Sequence, residues 1–428
     1  MRSSARGRTD APPAPCGHRP LCYTRSVRDS SSPLSGLVVL DLTRVLAGPY
    51  CTRLLADLGA RVIKIERPGW GDEMRRAVLQ LDPDREDQST YFVRCNAGKE
   101  SVGLDLAHPA AQAVILDLAR AADVAVENFV PGVTARLGCD YETLAAVKPD
   151  LIYCSISGYG QTGPWRLRPA FAHLIHAASG MMHLEQGADP APRSANLQAA
   201  DVLAGTHAFG SILAALWRRA RTGQGARLDV SMLETLVAAD DMTFGSVLNG
   251  GPEHGAPRIG MIVTEISGRH LALQTGGAAE IMPRLVSLMG RPELIQDPRF
   301  STPAGRRDNW PALRDIIEDW LKRFRTVDEA VNALSRARVP CAPVLSPAEV
   351  VALPHLAERQ FFPLVPHPGR GEVRVTRSPF QLDGRPVMPQ GGAPYRVGEH
   401  TRAVLTDFVG YDRDRIEKLL ALGAAAAP

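Results

Sequence analysis

No run of 18 uninterrupted apolar residues occurs in the 428-residue sequence, which argues against a membrane-spanning segment. Charge bias is equally scarce. With 49 Lys and Arg against 46 Asp and Glu, the net charge is only +3, so no general nucleic-acid surface is expected and any anion site must be local. The seven cysteines (16, 22, 51, 95, 139, 154 and 341) are scattered and form no CxxC. That pattern excludes a disulfide framework or zinc knuckle and points to a reducing, cytoplasmic setting. Walker A, HExxH and GxSxG motifs are all missing. The one GxGxxG string, GYGQTG (158–163), runs into Pro164 and Trp165 instead of a helix, so it reads as a turn. His173 and His176 would share a helical face, but no Cys or carboxylate partner lies close in sequence, and no metal site is expected there.

What is present is a strand–helix alternation. An apolar run at 37–40 reads as a strand buried on both faces, 48–60 as a helix closing on Gly59, and 61–67 as the next strand. The pattern recurs with helices at 108–122 and 141–149, strands at 123–129 and 150–160, a long amphipathic helix at 202–222 and a strand at 225–233. Strand–helix–strand units of about 30 residues imply a parallel sheet with right-handed crossovers. The fold class is therefore α/β: a Rossmann-like doubly wound large domain over 33–235, followed by a smaller α+β domain over 236–360. A Pro- and Gly-rich segment, 361–428, carries a last helix at 415–423 and a short Ala tail. Residues 1–32, rich in Arg, Ser and Pro without apolar periodicity, read as a disordered tail, with an organelle transit peptide as the alternative.

Several blocks, in order, carry a resemblance. VLDLTRVLAGPYCTRLLADLGARVIKIERPGWGDEMR (39–75), SVGLDL (101–106), DVAVENFVPGVTARLG (123–138), SISGYGQTGP (155–164), AASG (177–180), AADVLAG (199–205) and RTGQGARLDVSMLE (221–234) resemble the class III coenzyme A transferases. That family includes formyl-CoA:oxalate and carnitine CoA-transferases and the related α-methylacyl-CoA racemases. The resemblance implies a CoA-binding large domain closed by the last stretch of chain, and an interlocked dimer. It also implies acyl-CoA and a small carboxylic acid as substrates, with no tightly bound cofactor. A homodimer is expected, with a hetero-oligomer of related subunits as the alternative.

The family's nucleophilic carboxylate falls on Asp201. A carboxylate is ionised at neutral pH and needs no base to attack a thioester. The bland role for Asp201 is a helix N-cap, and both roles can coexist. The family register further implies CoA contacts at Val45, Leu46 and Ala47 after the first strand, at Arg67 after the second, and at Lys99 before SVGLDL. It places others at Asn128 and Phe129 after the third strand and at Arg136 after the PG turn. Arg67, Asn128 and Phe129 sit at the carboxyl ends of expected strands, where open α/β sheets bind ligands.

Departures narrow the expectation. Leu46 stands where oxalate-type relatives use a glutamine, and their run of four glycines is missing, with NGGPEHGAPRIG (249–260) as a candidate lid. With apolar Phe171 and Ala172, Leu46 suggests a larger, less polar acyl group than oxalate. The histidine that racemases pair with their Asp is Phe171 here, although His173 is two residues away. The reading is an acyl-CoA:carboxylate CoA-transferase, with succinyl-CoA as a candidate donor. The alternatives are a racemase, an intramolecular CoA isomerase, or a CoA-binding partner subunit.

Overall fold

A computed structural model describes residues 32–187, 189–240, 242–253 and 259–428. The expected tail therefore falls almost wholly outside the described residues, as does the centre of the candidate lid.

Six parallel strands form the body of the seven-stranded main sheet: β1 (Val38–Asp41), β2 (Arg61–Glu66), β3 (Glu100–Leu104), β4 (Val124–Glu127), β5 (Ile152–Ser157) and β6 (Ala226–Ser231). All neighbours among them pair in parallel, in the order β3-β2-β1-β4-β5-β6. Side-chain alternation divides the sheet into two buried faces. Val39, Val62, Val124 and Cys154 enter one core, whereas Leu40, Ile63, Ala125 and Tyr153 enter the other. Helix α1 (Ala47–Asp57) and the 24-residue helix Ala199–Thr222 cover the first face. Helices Pro109–Arg120 and Tyr141–Val147 cover the second, together with the C-terminal Thr401–Asp407 and Arg413–Ala421.

The chain reverses its direction of strand addition between β1 and β4. Their carboxyl ends therefore open a crevice, the usual ligand position in such sheets. The helix Ala199–Thr222 is long and apolar enough to cross a membrane by length and composition alone. It packs here on the sheet face beside α1.

The Ala tail is a correction. Instead of trailing from the last helix, Ala425–Ala426 adds antiparallel to β3 as an edge strand, and Thr401 Oγ1 donates to the Ala426 carbonyl at 2.6 Å. Nothing β-branched marks it. Small side chains let the strand lie against Gly103, opposite Ala426 in the register.

A separate three-stranded antiparallel sheet, β7 (Met261–Ile266), β8 (Arg269–Gln274) and β9 (Cys341–Pro343), packs with helices Ile281–Leu288, Trp310–Leu321 and Val327–Arg336. Its core, including Leu271, Leu285, Ile317 and Leu334, is drawn entirely from residues 262–339.

Candidate active site

The register of β1, β2 and β3 places Asp41 opposite Lys64 and Lys64 opposite Ser101, with Glu66 two residues on along the same face. All four side chains are buried. Such groups are tolerated only if paired, and they are. Lys99 Nζ reaches Asp41 Oδ2 at 2.9 Å, Lys64 Nζ reaches Asp72 Oδ2 at 3.0 Å, and Arg75 grips Glu66 through two bonds of 2.8 and 2.7 Å. Burial alone would raise the Asp41 carboxyl, but Lys99 and Lys64 hold it far below the usual carboxylate range. Burial likewise opposes the charge on Glu66, and Arg75 brings it down to about 2.

This charged layer supports the loop between β1 and α1. Lys64 Nζ donates to the Thr43 carbonyl at 2.7 Å, Asp41 accepts the Thr43 N–H at 2.9 Å, and Asp72 accepts the Val45 N–H at 3.2 Å. Asn128 clamps the same loop from β4: its amide accepts from the Arg44 N–H at 2.9 Å and donates to the Arg44 carbonyl at 2.7 Å. These contacts hold Val45 at φ 69°, a left-handed conformation that a β-branched residue adopts only when its surroundings impose it.

The loop then enters α1, whose first N–H groups point outward without helical partners. Here the long helix comes close. A Cβ added at Gly205 would lie 2.5 Å from the Ala47 carbonyl oxygen, and one at Gly48 would lie 2.3 Å from Thr43, so both positions need glycine. Because of this approach, the Ala47 N–H reaches the carboxylate of Asp201. Asp201 lies in the first turn of the helix Ala199–Thr222, three residues past Gln198, so it is not the N-cap. The helix begins three residues earlier than its apolar periodicity indicates, because the start is set by tertiary contacts. One of these is the Ala200 N–H donating to Nε2 of buried His176 at 3.2 Å. Burial lowers the His176 pKa, which keeps that acceptor nitrogen free of a proton.

Two helix N-termini thus converge on one carboxylate. Burial raises the Asp201 pKa to about 6, against the stabilising pull of the Ala47 N–H, nearby His173 and its own backbone N–H. The residue is ionised at neutral pH and poorly hydrated, the condition of a reactive nucleophile.

Asp201 lines a cleft of about 470 Å³ whose wall includes Arg44, Val45, Ala47, Asn128, Phe129 and Phe171. Arg44 and Phe129 also line a second chamber of about 390 Å³ with Leu42, Arg67, Leu104 and Leu106, so the two adjoin at the sheet's switch point. The Arg44 guanidinium sits 4.8 Å from the Phe129 ring centroid and pairs with Glu73 at 2.7 Å.

Of the residues singled out from sequence, Asp201, Val45, Ala47, Asn128 and Phe129 meet in the first cleft, and Arg67 in the second. Three go elsewhere. Lys99 is turned inward, with its ammonium on Asp41, Thr52, Asn96 and the Pro49 carbonyl, so its side chain does not serve as a phosphate contact. Leu46 is buried in the interior, which removes its part in the argument for an apolar acyl group. Arg136 is exposed on the short helix Val133–Arg136, and of its neighbours it is Leu137 that lines the second chamber. Sequence reading missed Arg44 and Asp72, and weighed His176 only as a metal ligand. A Lys inside the apolar run RVIKIE was the one available sign that charge is buried beneath the loop. Among the described residues no group of His, Cys, Asp and Glu is arranged to hold a metal.

Residues 34–401 match CoA-transferase family III. The chain is 33% identical to a succinyl-CoA:glutarate CoA-transferase from Mus musculus, covering 92% of this chain and 91% of that one. It is 37% identical to an acetyl-CoA:oxalate CoA-transferase from Acetobacter aceti, covering 85% and 95%. Among solved structures, a CaiB/BaiF family protein from Brucella suis superposes with a TM-score of 0.74 at 30% identity, over 88% of this chain and 99% of that one. With a family match over most of its length and a geometry to go with it, the chain belongs to CoA-transferase family III.

Proposed function

We propose that the protein is an acyl-CoA:carboxylate CoA-transferase in which Asp201 is the nucleophile. The observation that carries this reading is the Asp201 carboxylate itself, desolvated yet held ionised where two helix N-termini meet, in a cleft adjoining a second chamber. Asp201 attacks the thioester carbonyl of the donor, breaking the C–S bond and giving an aspartyl anhydride and CoA thiolate. The thiolate attacks the aspartyl carbonyl, releasing the donor acid and leaving an aspartyl-CoA thioester. An acceptor carboxylate attacks that thioester, regenerating thiolate and a new anhydride. The thiolate then takes the acyl group, freeing Asp201. Each step conserves an activated acyl bond, so no ATP is consumed. In the first turn of α1 the Ala47 N–H serves Asp201 and Pro49 has no N–H, so the Gly48 N–H is the one placed to receive a developing oxyanion.

The pantetheine arm of CoA passes over the stacked Arg44–Phe129 pair into the second chamber, with Arg67 on its polyphosphate end; the shared lining of the two cavities supports this path. CoA and acyl-CoA act as substrates, and no tightly bound cofactor enters the cycle. Succinyl-CoA, named in the mouse relative, is the first donor to try.

The working unit is an interlocked homodimer. Thr206, His207, Gly210, Ala214 and Trp217 form an exposed stripe along the long helix, with Trp217 69% accessible, a face suited to a second copy. Five free cysteines among the described residues support residence in the reducing cytoplasm.

Incubating the protein with acyl-CoA and a pool of acids, without ATP, tests the proposal. New acyl-CoA species from wild type and none from Asp201→Ala are expected. The racemase reading rests on His173, which lies near Asp201. Deuterium uptake at the α-carbon of a branched acyl-CoA would favour it.

A further inference from the structure

The GYGQTG turn that follows β5 leads into Trp165, Arg166, Leu167 and Arg168, and both arginines line the Asp201 cleft. Neither has a carboxylate partner among the described residues, whereas Arg44 on the same wall is paired with Glu73. Arg168 is held in place. Its guanidinium lies 4.0 Å from the Trp165 ring centroid, its backbone N–H donates to the Trp165 carbonyl at 2.8 Å, and Trp165 packs edge-on against Tyr159 at 5.5 Å. A cation fixed on an aromatic platform loses little side-chain freedom when it binds an anion. Ser157, at the carboxyl end of β5 on the same cleft wall, is 6% exposed, and its hydroxyl has no hydrogen-bond partner. A buried hydroxyl left unpaired calls for a ligand or water.

We propose that Arg166, Arg168 and Ser157 form a subsite for a second, distal carboxylate of the acyl group or acceptor, making dicarboxylic acids the preferred substrates. The inference rests on the transferase reading of the same cleft. Arg166, Arg168, Phe171 and Asp201 line only the first cavity, while Arg67 lies in the second, across the Arg44–Phe129 junction. The arginine pair is therefore on the side where the acyl group reacts, away from the proposed polyphosphate end. It also corrects the expectation of an apolar acyl group. Phe171 does line the cleft, but Leu46 and Ala172 are buried, and two unpaired cations share the wall.

The test uses acetyl-CoA as donor, so that only the acceptor carries the distal charge. Acceptors are glutarate and its monoacid counterpart pentanoate, assayed with wild type, Arg166→Ala, Arg168→Ala and Arg168→Lys. A charge-assisted contact of this kind corresponds to about 10- to 100-fold in specificity. The kcat/KM ratio of glutarate to pentanoate is expected to fall by about that factor in the alanine variants, mainly through KM for glutarate, with partial recovery in Arg168→Lys. An unchanged ratio overturns the subsite. Equal losses for both acids with a raised KM for acetyl-CoA also overturn it, assigning the arginines to CoA. Wild type exchanging no acid with either acetyl-CoA or succinyl-CoA as donor would overturn the transferase reading beneath it, an outcome distinct from either.

Discussion

Replacing Asp201 by Asn should destroy transfer and strengthen the fold. Burial is the chief cause that raises the Asp201 pKa to about 6 in the folded protein, against 3.8 for a free aspartate side chain. Below pH 3.8 the group is protonated in both states and contributes nothing. As pH rises toward 6 the unfolded chain releases its proton first, so the folded state is progressively penalised, and above 6 the penalty is complete. That difference corresponds to about 3 kcal/mol, an upper figure because the side chain keeps some solvent contact. Asp201→Asn removes the charge while keeping the shape and an oxygen for the Ala47 N–H. Denaturant unfolding at pH 8 should show the variant more stable by roughly 1–3 kcal/mol, the difference shrinking toward zero near pH 4. In parallel, wild-type kcat/KM should fall tenfold per pH unit below about 6, as the nucleophile is protonated. A variant less stable than wild type at pH 8, or a stability difference independent of pH, would refute the reasoning.

Other perturbations probe the frame around the nucleophile. Gly205→Val would press a side chain into the Ala47 carbonyl, 2.5 Å from the added Cβ. A displacement of order 1 Å at the start of α1 should lower turnover by up to ~100-fold while far-ultraviolet circular dichroism stays native. Asp72→Ala removes the acceptor of the Val45 N–H and the ion-pair partner of buried Lys64, which keeps only Asp41 and Glu66 as nearby counter-charges, with an expected loss of about 3 kcal/mol in denaturant unfolding. An unchanged midpoint would mean that this layer does not support the loop. Truncation after Gly423 removes the strand that pairs with β3, and the bared edge should lower the melting temperature and promote association, read by light scattering.

Five of the six parallel strands and the helices between them were readable, because buried apolar runs, a clear apolar stripe and Gly stops located them to within a few residues; β3 was not read as a strand. The first three residues of the long helix escaped. Ala199, Ala200 and Asp201 carry no strong periodic signal, and the contact with His176 that helps to set the helix start lies 24 residues away in sequence. Lys99 was misplaced for a related reason. A lysine before a strand looks like a surface charge, and only the neighbouring Asp41, brought alongside by strand pairing, makes an inward direction affordable. Val45 and Ala47 were legible as a site loop, but the strain at Val45 and the layer of Lys64, Asp72, Glu66 and Arg75 beneath it depend on the register of three strands. The Ala425–Ala426 strand was invisible, because alanine has no strand preference and its pairing depends on an open edge beside Gly103.

The most direct test of the central claim is to look for CoA covalently attached to Asp201. The protein would be mixed with acyl-CoA, quenched in acid within seconds, digested and analysed by mass spectrometry. The account predicts a CoA thioester on the peptide containing Asp201 that disappears when an acceptor acid is added, with no adduct on Asp201→Asn. Transfer that proceeds with the Asn variant, or an adduct formed on another residue, would contradict it.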